Sequence, residues 1–161
     1  MAGPSSQITK GFQVRGYLGF DSVPTLGGKA GASTIAVGDF LSVSAGLLVP
    51  ASQGDDAVLV GIATSASTVS GTTVTYVPLL QGVIVEGTLD GGTTTGTVLA
   101  DSGMRFESFG LGKDTGNSKF FIDKDNTTDT LFTVIDFVDA IGTTRGRVKA
   151  VVSAGTGAFG A

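Results

Sequence analysis

IAVGDFLSVSAGLLVPASQGDDAVLVGIATSASTVSGTTVTYVPLLQGVIVEGTL, residues 35 to 89, decides the class of fold. Its apolar runs are short and rich in Val, Ile, Leu and Thr (IAVGDFLSV at 35–43, GLLVPAS at 46–52, AVLVGIATSAS at 57–67, TTVTYVPLL at 72–80, GVIVEGTL at 82–89), and Gly, Asp-Asp and Ser-Gly cut them apart. Branched Cβ atoms fit a pleated surface better than a helical turn. Turn signals at such short spacing predict a small barrel or sandwich. Within 72–78, Val74, Tyr76 and Pro78 alternate with Thr73, Thr75 and Val77, the period of two of a strand. Pro78 has no N–H for a ladder, so the strand ends there or lies at an edge. Ser70-Gly71 and Asp90-Gly91-Gly92 read as turns.

After Asp101 the texture changes. MRFESFG, SKFFIDKD, TLFTVIDFVD and RGRVKAVVSA hold Phe106, Phe109, Phe120, Phe121, Phe132 and Phe137, six of the ten phenylalanines, which predicts a second β-rich lobe with an aromatic core. In RGRVKAVVS, Arg147, Lys149 and Val151 share one face and Val148, Ala150 and Val152 the other, as in a half-buried strand. TLFTVIDFVD has Leu131, Ile135 and Val138 at helical spacing, but its branched and aromatic residues favour a strand. The chain thus divides into an extended N-terminal arm (1–34), a β-barrel (35–100) and a β-rich C-terminal domain (101–161) with a flexible Gly-rich tail.

Composition agrees with this mainly β reading. The 161 residues include 26 glycines, and with Ser and Thr these exceed a third of the chain, whereas charged residues supply 15%; helices draw on Ala, Leu, Glu, Lys, Gln and Arg instead. There is no His and no Cys. That excludes Ser-His and Cys-His nucleophile pairs, His-ligated zinc and a disulfide framework. No catalytic constellation is legible, so an enzyme is not expected, nor a cofactor. The first ten residues, MAGPSSQITK, contain no apolar core of an export signal, and no run is long enough to cross a bilayer, so a soluble protein without membrane partners is expected.

Charge is unevenly placed. Residues 35–100 carry Asp39, Asp55, Asp56, Glu86 and Asp90 with no Lys or Arg, within a chain of net charge −4. No basic stripe exists to displace counterions from phosphates, which argues against nucleic acid as a partner. These acids are expected mostly in loops, giving a negative outer surface. Asp39 is the exception, since an aspartate after Gly38 at a strand start can accept backbone N–H bonds in the turn.

Several motifs fail on their mechanics. GTGAFG at 155–160 matches a dinucleotide fingerprint but opens no helix and meets no later acid within the sequence. GLGKDTG at 110–116 has Asp114 where a phosphate loop needs Ser or Thr. Asp123, Asp125, Thr127 and Asp129 have the alternate spacing of a calcium loop, yet Thr128 stands in place of the required Gly and Val134 in place of the Glu, so an exposed acidic turn is expected. Asn126-Thr127-Thr128 is a glycosylation acceptor only in a secretory pathway.

GDFLSVSAGLLVPASQGDDAVLVGIATSASTVSGTTVTYVPLLQGVIVEG, residues 38–87, resembles the head decoration (capsid cement) proteins of tailed bacteriophages. The likeness lies in a Gly-Asp opening a strand, a polar excursion, a strand running into small residues (VLVGIATSAS) and a strand pair closing on Gly-Val. The resemblance implies a β-tulip-like barrel on the capsid exterior of a virion made in the host cytoplasm. It also implies a homotrimer at local three-fold axes, with an N-terminal arm pairing with the major capsid protein. On that reading Phe12, Val14, Tyr17 and Phe20 are the capsid-binding arm residues. They are too apolar for a free tail, and the glycines among them deny the arm a fold of its own. Residues 1–34 are therefore expected to be ordered mainly by partners, so that a chain lacking 2–20 still folds. The alternative is a ligand- or carbohydrate-binding β-module, which wants exposed Trp or Tyr. The chain has no Trp and only Tyr17 and Tyr76.

Overall fold

The computed structural model describes residue 8 and residues 10–52, 59–91 and 100–153. Eleven strands carry the fold: β1 Gln13–Tyr17, β2 Leu26–Lys29, β3 Phe40–Ser44, β4 Leu47–Pro50, β5 Gly61–Ala63, β6 Thr73–Pro78, β7 Val83–Asp90, β8 Ser108–Asp114, β9 Lys119–Asp123, β10 Phe132–Phe137 and β11 Arg147–Val152. Among the described residues the one helical element is a 3-10 turn, Ser102–Met104, whose N-cap Asp101 accepts from the Gly103 amide at 2.7 Å. The mainly β class, with a small barrel and a second β-rich part, is therefore observed. TLFTVIDFVD is strand β10, and β6 ends at Pro78 as its missing N–H requires.

The barrel closes through β7. One sheet runs β1-β7-β11-β10-β8-β9, and β9 returns to pair in parallel with the far end of β7 (Leu89 with Ile122, Asp90 with Asp123), so β7, β11, β10, β8 and β9 form a ring. The second sheet runs β2-β6-β5-β3-β4, and a parallel bridge from Ala30 to Leu48 draws its two edges together. Residues 35–100 are thus not the barrel by themselves: β3 to β6 lie in the second sheet, and β7 belongs to the barrel with the strands after residue 101. Turn spacing along the chain marks strands but not their partners, and β7 is long enough, at eight residues, to serve two. Its first half, 83–86, pairs with β1, and its last two residues pair with β9. Ser70-Gly71 is the end of a longer connection between β5 and β6, with Gly71 at φ +83°, rather than a two-residue hairpin.

Two cores result. Ala30, Ile35, Leu41, Leu48, Val60, Ala63, Val74 and Tyr76 fill the inside of the second sheet. The larger core fills the barrel and the space between the sheets, with Phe12, Phe40, Phe120 and Phe132 at its centre. Strands of the second sheet supply both cores by alternation, Phe40 against Leu41 and Ile62 against Ala63. On β11, Val148, Ala150 and Val152 point inward as their period of two requires. Lys113 ties the sheets from outside, donating to the Ala51 carbonyl at 2.8 Å while lying 4.9 Å over the Phe120 ring.

The N-terminal segment is part of this fold. Phe12 is 2% exposed, edge-on to Phe40 at 4.7 Å and stacked on Phe132 at 5.2 Å. It enters where β7 changes partner: its ring lies against Gly87, where a Cβ would collide with it, and Thr88 donates to the Lys10 carbonyl at 3.3 Å. The Phe12 carbonyl presses on Gly38, held at φ +90°, which leaves that position no room for a side chain. Farther back, the Ile8 amide donates to Asp114 at 3.0 Å, and Asn117 donates to the Ile8 carbonyl. Phe12, expected as a capsid contact, is instead a core residue. The arm reading mistook an apolar strap for a free one, because the residues Phe12 packs on, from Gly38 to Phe132, lie 26 to 120 positions away and leave no local periodicity.

Candidate docking surface

Of the four residues assigned to the arm, the structure leaves only the last at the surface. Val14 and Tyr17 are half-buried and pack against the large core. Beyond them the chain reverses in a tight turn, Tyr17-Leu18-Gly19-Phe20, with Gly19 at φ +79° and the Phe20 amide donating to the Tyr17 carbonyl at 3.1 Å. The turn is pinned to the barrel, since the Leu18 amide donates to the Gly82 carbonyl at 2.9 Å and the Tyr17 ring covers Gly82. Its tip is apolar: Phe20 is 65% exposed, stacked on Tyr17 at 4.5 Å, and Leu18 is 53% exposed. Leu18 belongs with Phe20, and the signal for it was Gly19, the residue that makes the turn.

Beside this tip the outer face of β7 carries an ion-pair network. Glu86 is buried between Arg15 of β1, at 2.9 Å, and Arg147 of β11, at 3.0 Å. Arg147 also forks onto Asp139, with contacts of 3.1 and 3.3 Å. These side-chain bonds first, then the Arg147 backbone amide, hold the Asp139 carboxyl below its usual range, and Asp139 holds the Arg147 guanidinium above its own. Asp90, fully buried at the end of β7, accepts from Arg145 at 3.0 Å and from the Gly91 amide at 2.9 Å.

The acids of residues 35–100 thus differ from the loop charges expected of them. All three that lie among the described residues, Asp39, Glu86 and Asp90, are buried. A buried carboxylate needs partners; Glu86 and Asp90 take arginines from outside this segment, which has no Lys or Arg of its own. Asp39 performs the turn role foreseen for it, accepting from the Ala36 amide at 2.8 Å. Burial pushes its carboxyl above the ordinary value, against the opposing pull of that bond and of Lys113 and Lys119.

The acidic turn is built by its own backbone. Asp123 is buried and accepts from the Asp125 amide at 3.0 Å, while the Asn126 side chain accepts from Thr128 and Asp129 at 3.3 and 3.0 Å. Among the described residues no three acids converge as a metal site would need. Residues 155–160 lie outside the described residues. No described helix is long and apolar enough to cross a membrane. The chain matches no family model, no curated protein and no solved structure.

Proposed function

We propose that this protein is a structural component of a phage head, bound to the capsid exterior and clamping neighbouring major capsid proteins. The observation that carries this reading is the Leu18–Phe20 tip. Two large apolar side chains are held in water on a turn that the barrel fixes through Gly82 and Tyr17, an arrangement that favours burial against a partner over any gain for the chain alone. Beside the tip, β1 has among the described residues a strand partner, β7, on one side only, leaving an edge that another chain could extend. The Gly-Asp and small-residue pattern of 38–87 adds the resemblance to head decoration proteins, and with it the expectation of a homotrimer.

The test is binding to expanded heads that lack the protein. Wild type should decorate them in fixed stoichiometry, seen by electron microscopy, and Leu18→Ser with Phe20→Ser should lose occupancy while melting as wild type does. Failure of the wild type to bind heads, or full occupancy of the double variant, would reject the reading. Light scattering on free protein and imaging of decorated shells test the trimer; monomers in both settings would sink it.

A further inference from the structure

On the outer face of β1, β7, β11 and β10 lies an open groove of about 410 Å³, lined by Arg15, Glu86, Asp136, Phe137, Val138 and Lys149. One of its four charges is left outside an ion pair. Lys149 stands opposite Glu86 on one neighbouring strand and Asp136 on the other, yet both acids are taken by arginines: Glu86 by Arg15 and Arg147, and Asp136 by Arg105 at 3.4 Å. Among the described residues Lys149 has no carboxylate within ion-pair distance, and it is exposed. The lining holds two cations, Arg15 and Lys149, and two carboxylates, Glu86 and Asp136, and of these four Lys149 alone is outside an ion pair. The ammonium of Lys149 and the half-exposed guanidinium of Arg15 keep N–H donors turned to solvent.

The apolar wall points the same way. Phe137 lies under the Arg105 guanidinium at 5.5 Å, and Val138 beside it is partly exposed.

We infer that this groove docks an extended acidic segment of a second protein, its carboxylates on Lys149 and Arg15 and its apolar side chains on Phe137 and Val138. This goes beyond the clamping of a shell, since neither Leu18 nor Phe20 lines the groove. An acidic occupant is favoured because the unfilled capacity is for acceptors, and an aromatic and arginine-rich wall is the common composition of anchor positions at interfaces.

The probes are a blocked hexapeptide alternating Glu and Val, its Gln-Val counterpart, and inorganic phosphate, titrated into the labelled full chain by NMR. The acidic peptide should shift amides of 84–86, 136–138 and 147–149, and the Gln-Val peptide should not. Lys149→Gln should weaken the acidic peptide by roughly tenfold. Val138→Ser should weaken it as well while melting close to the wild-type temperature, because Val138 lines the groove and is exposed. Equal shifts from the Gln peptide, equal shifts from phosphate alone, or unchanged affinity in both variants would overturn the assignment.

Discussion

Phe12→Ala separates a segment that folds only on its partner from a strap that holds the molecule together. The ring is 2% exposed and contacts Phe40, Phe132 and the backbone at Gly87, so its removal leaves a cavity among groups fixed by both sheets. Phe to Ala in such a site costs about 3–5 kcal/mol, a large part of the ~5–15 kcal/mol that holds a domain together. For a chain of this size each kcal/mol moves the melting temperature by about 2–4 °C, so a fall of roughly 6–20 °C is expected in isolated protein. Phe20→Ala is the internal control. At 65% exposure its ring contributes little to the folded state beyond its stack on Tyr17, and a change within about 0.5 kcal/mol is expected. The assay is thermal unfolding followed by circular dichroism, with both variants alongside wild type and no partner present. If the two variants melt together within a degree or two, residues 8–20 are not integral to the core and the strap reading is wrong.

Glu86→Gln should destabilise by about 1–3 kcal/mol by urea unfolding, less than a fully buried pair would lose because solvent reaches Arg15 and Arg147; an unchanged midpoint would show the network to be ornamental. Asp39→Ala should cost about 1–2 kcal/mol through the Ala36 bond, and equal stability would show that this bond adds nothing to the fold. Asp39→Asn should remove a pH dependence of known sign. The folded carboxyl titrates above its unfolded value near 3.8, so the native state binds the proton more tightly and wild-type stability declines as pH rises from about 3.8 through the folded value. Wild type should therefore gain on the Asn variant as pH is lowered from 7 toward 4, and parallel pH profiles would refute it. Asp139 acts oppositely: its lowered carboxyl gives stability that is lost as pH falls below about 3.8, so the two groups are read in different windows.

The strands were legible because each is a local statement. Alternation marked β6 and β11, Pro78 marked the end of β6, and the branched and aromatic run at 131–138 marked β10. The ring was not legible, because it closes on two parallel residue pairs, Leu89 with Ile122 and Asp90 with Asp123, that no pattern around either partner announces. Phe12 was misread for the same reason. The groove at Lys149 was half legible: the sequence put Arg147 and Lys149 on one face of a strand, but the acids facing them come from β7 and β10.

Charge carries information that strand patterns lack. Residues 35–100 contain acids and no base, and read as a self-standing barrel such a segment would have no cation to offer a buried carboxylate. The fold instead buries Glu86 and Asp90 on arginines that come from before and after that segment, Arg15 on one side and Arg145 and Arg147 on the other. Its β7 also loses both ladder neighbours, β1 and β11, as well as β9, when the segment is cut out. A fragment of 35–100 should therefore remain unfolded at neutral pH, since its two carboxylates have no cation and its apolar strand no sheet. The check is far-ultraviolet circular dichroism and a denaturant titration of the fragment, against the same fragment mixed with a peptide of residues 101–153. A cooperative unfolding transition in the fragment alone would show that the segment is an independent domain after all, and that the arginine pairs are additions to a fold already complete.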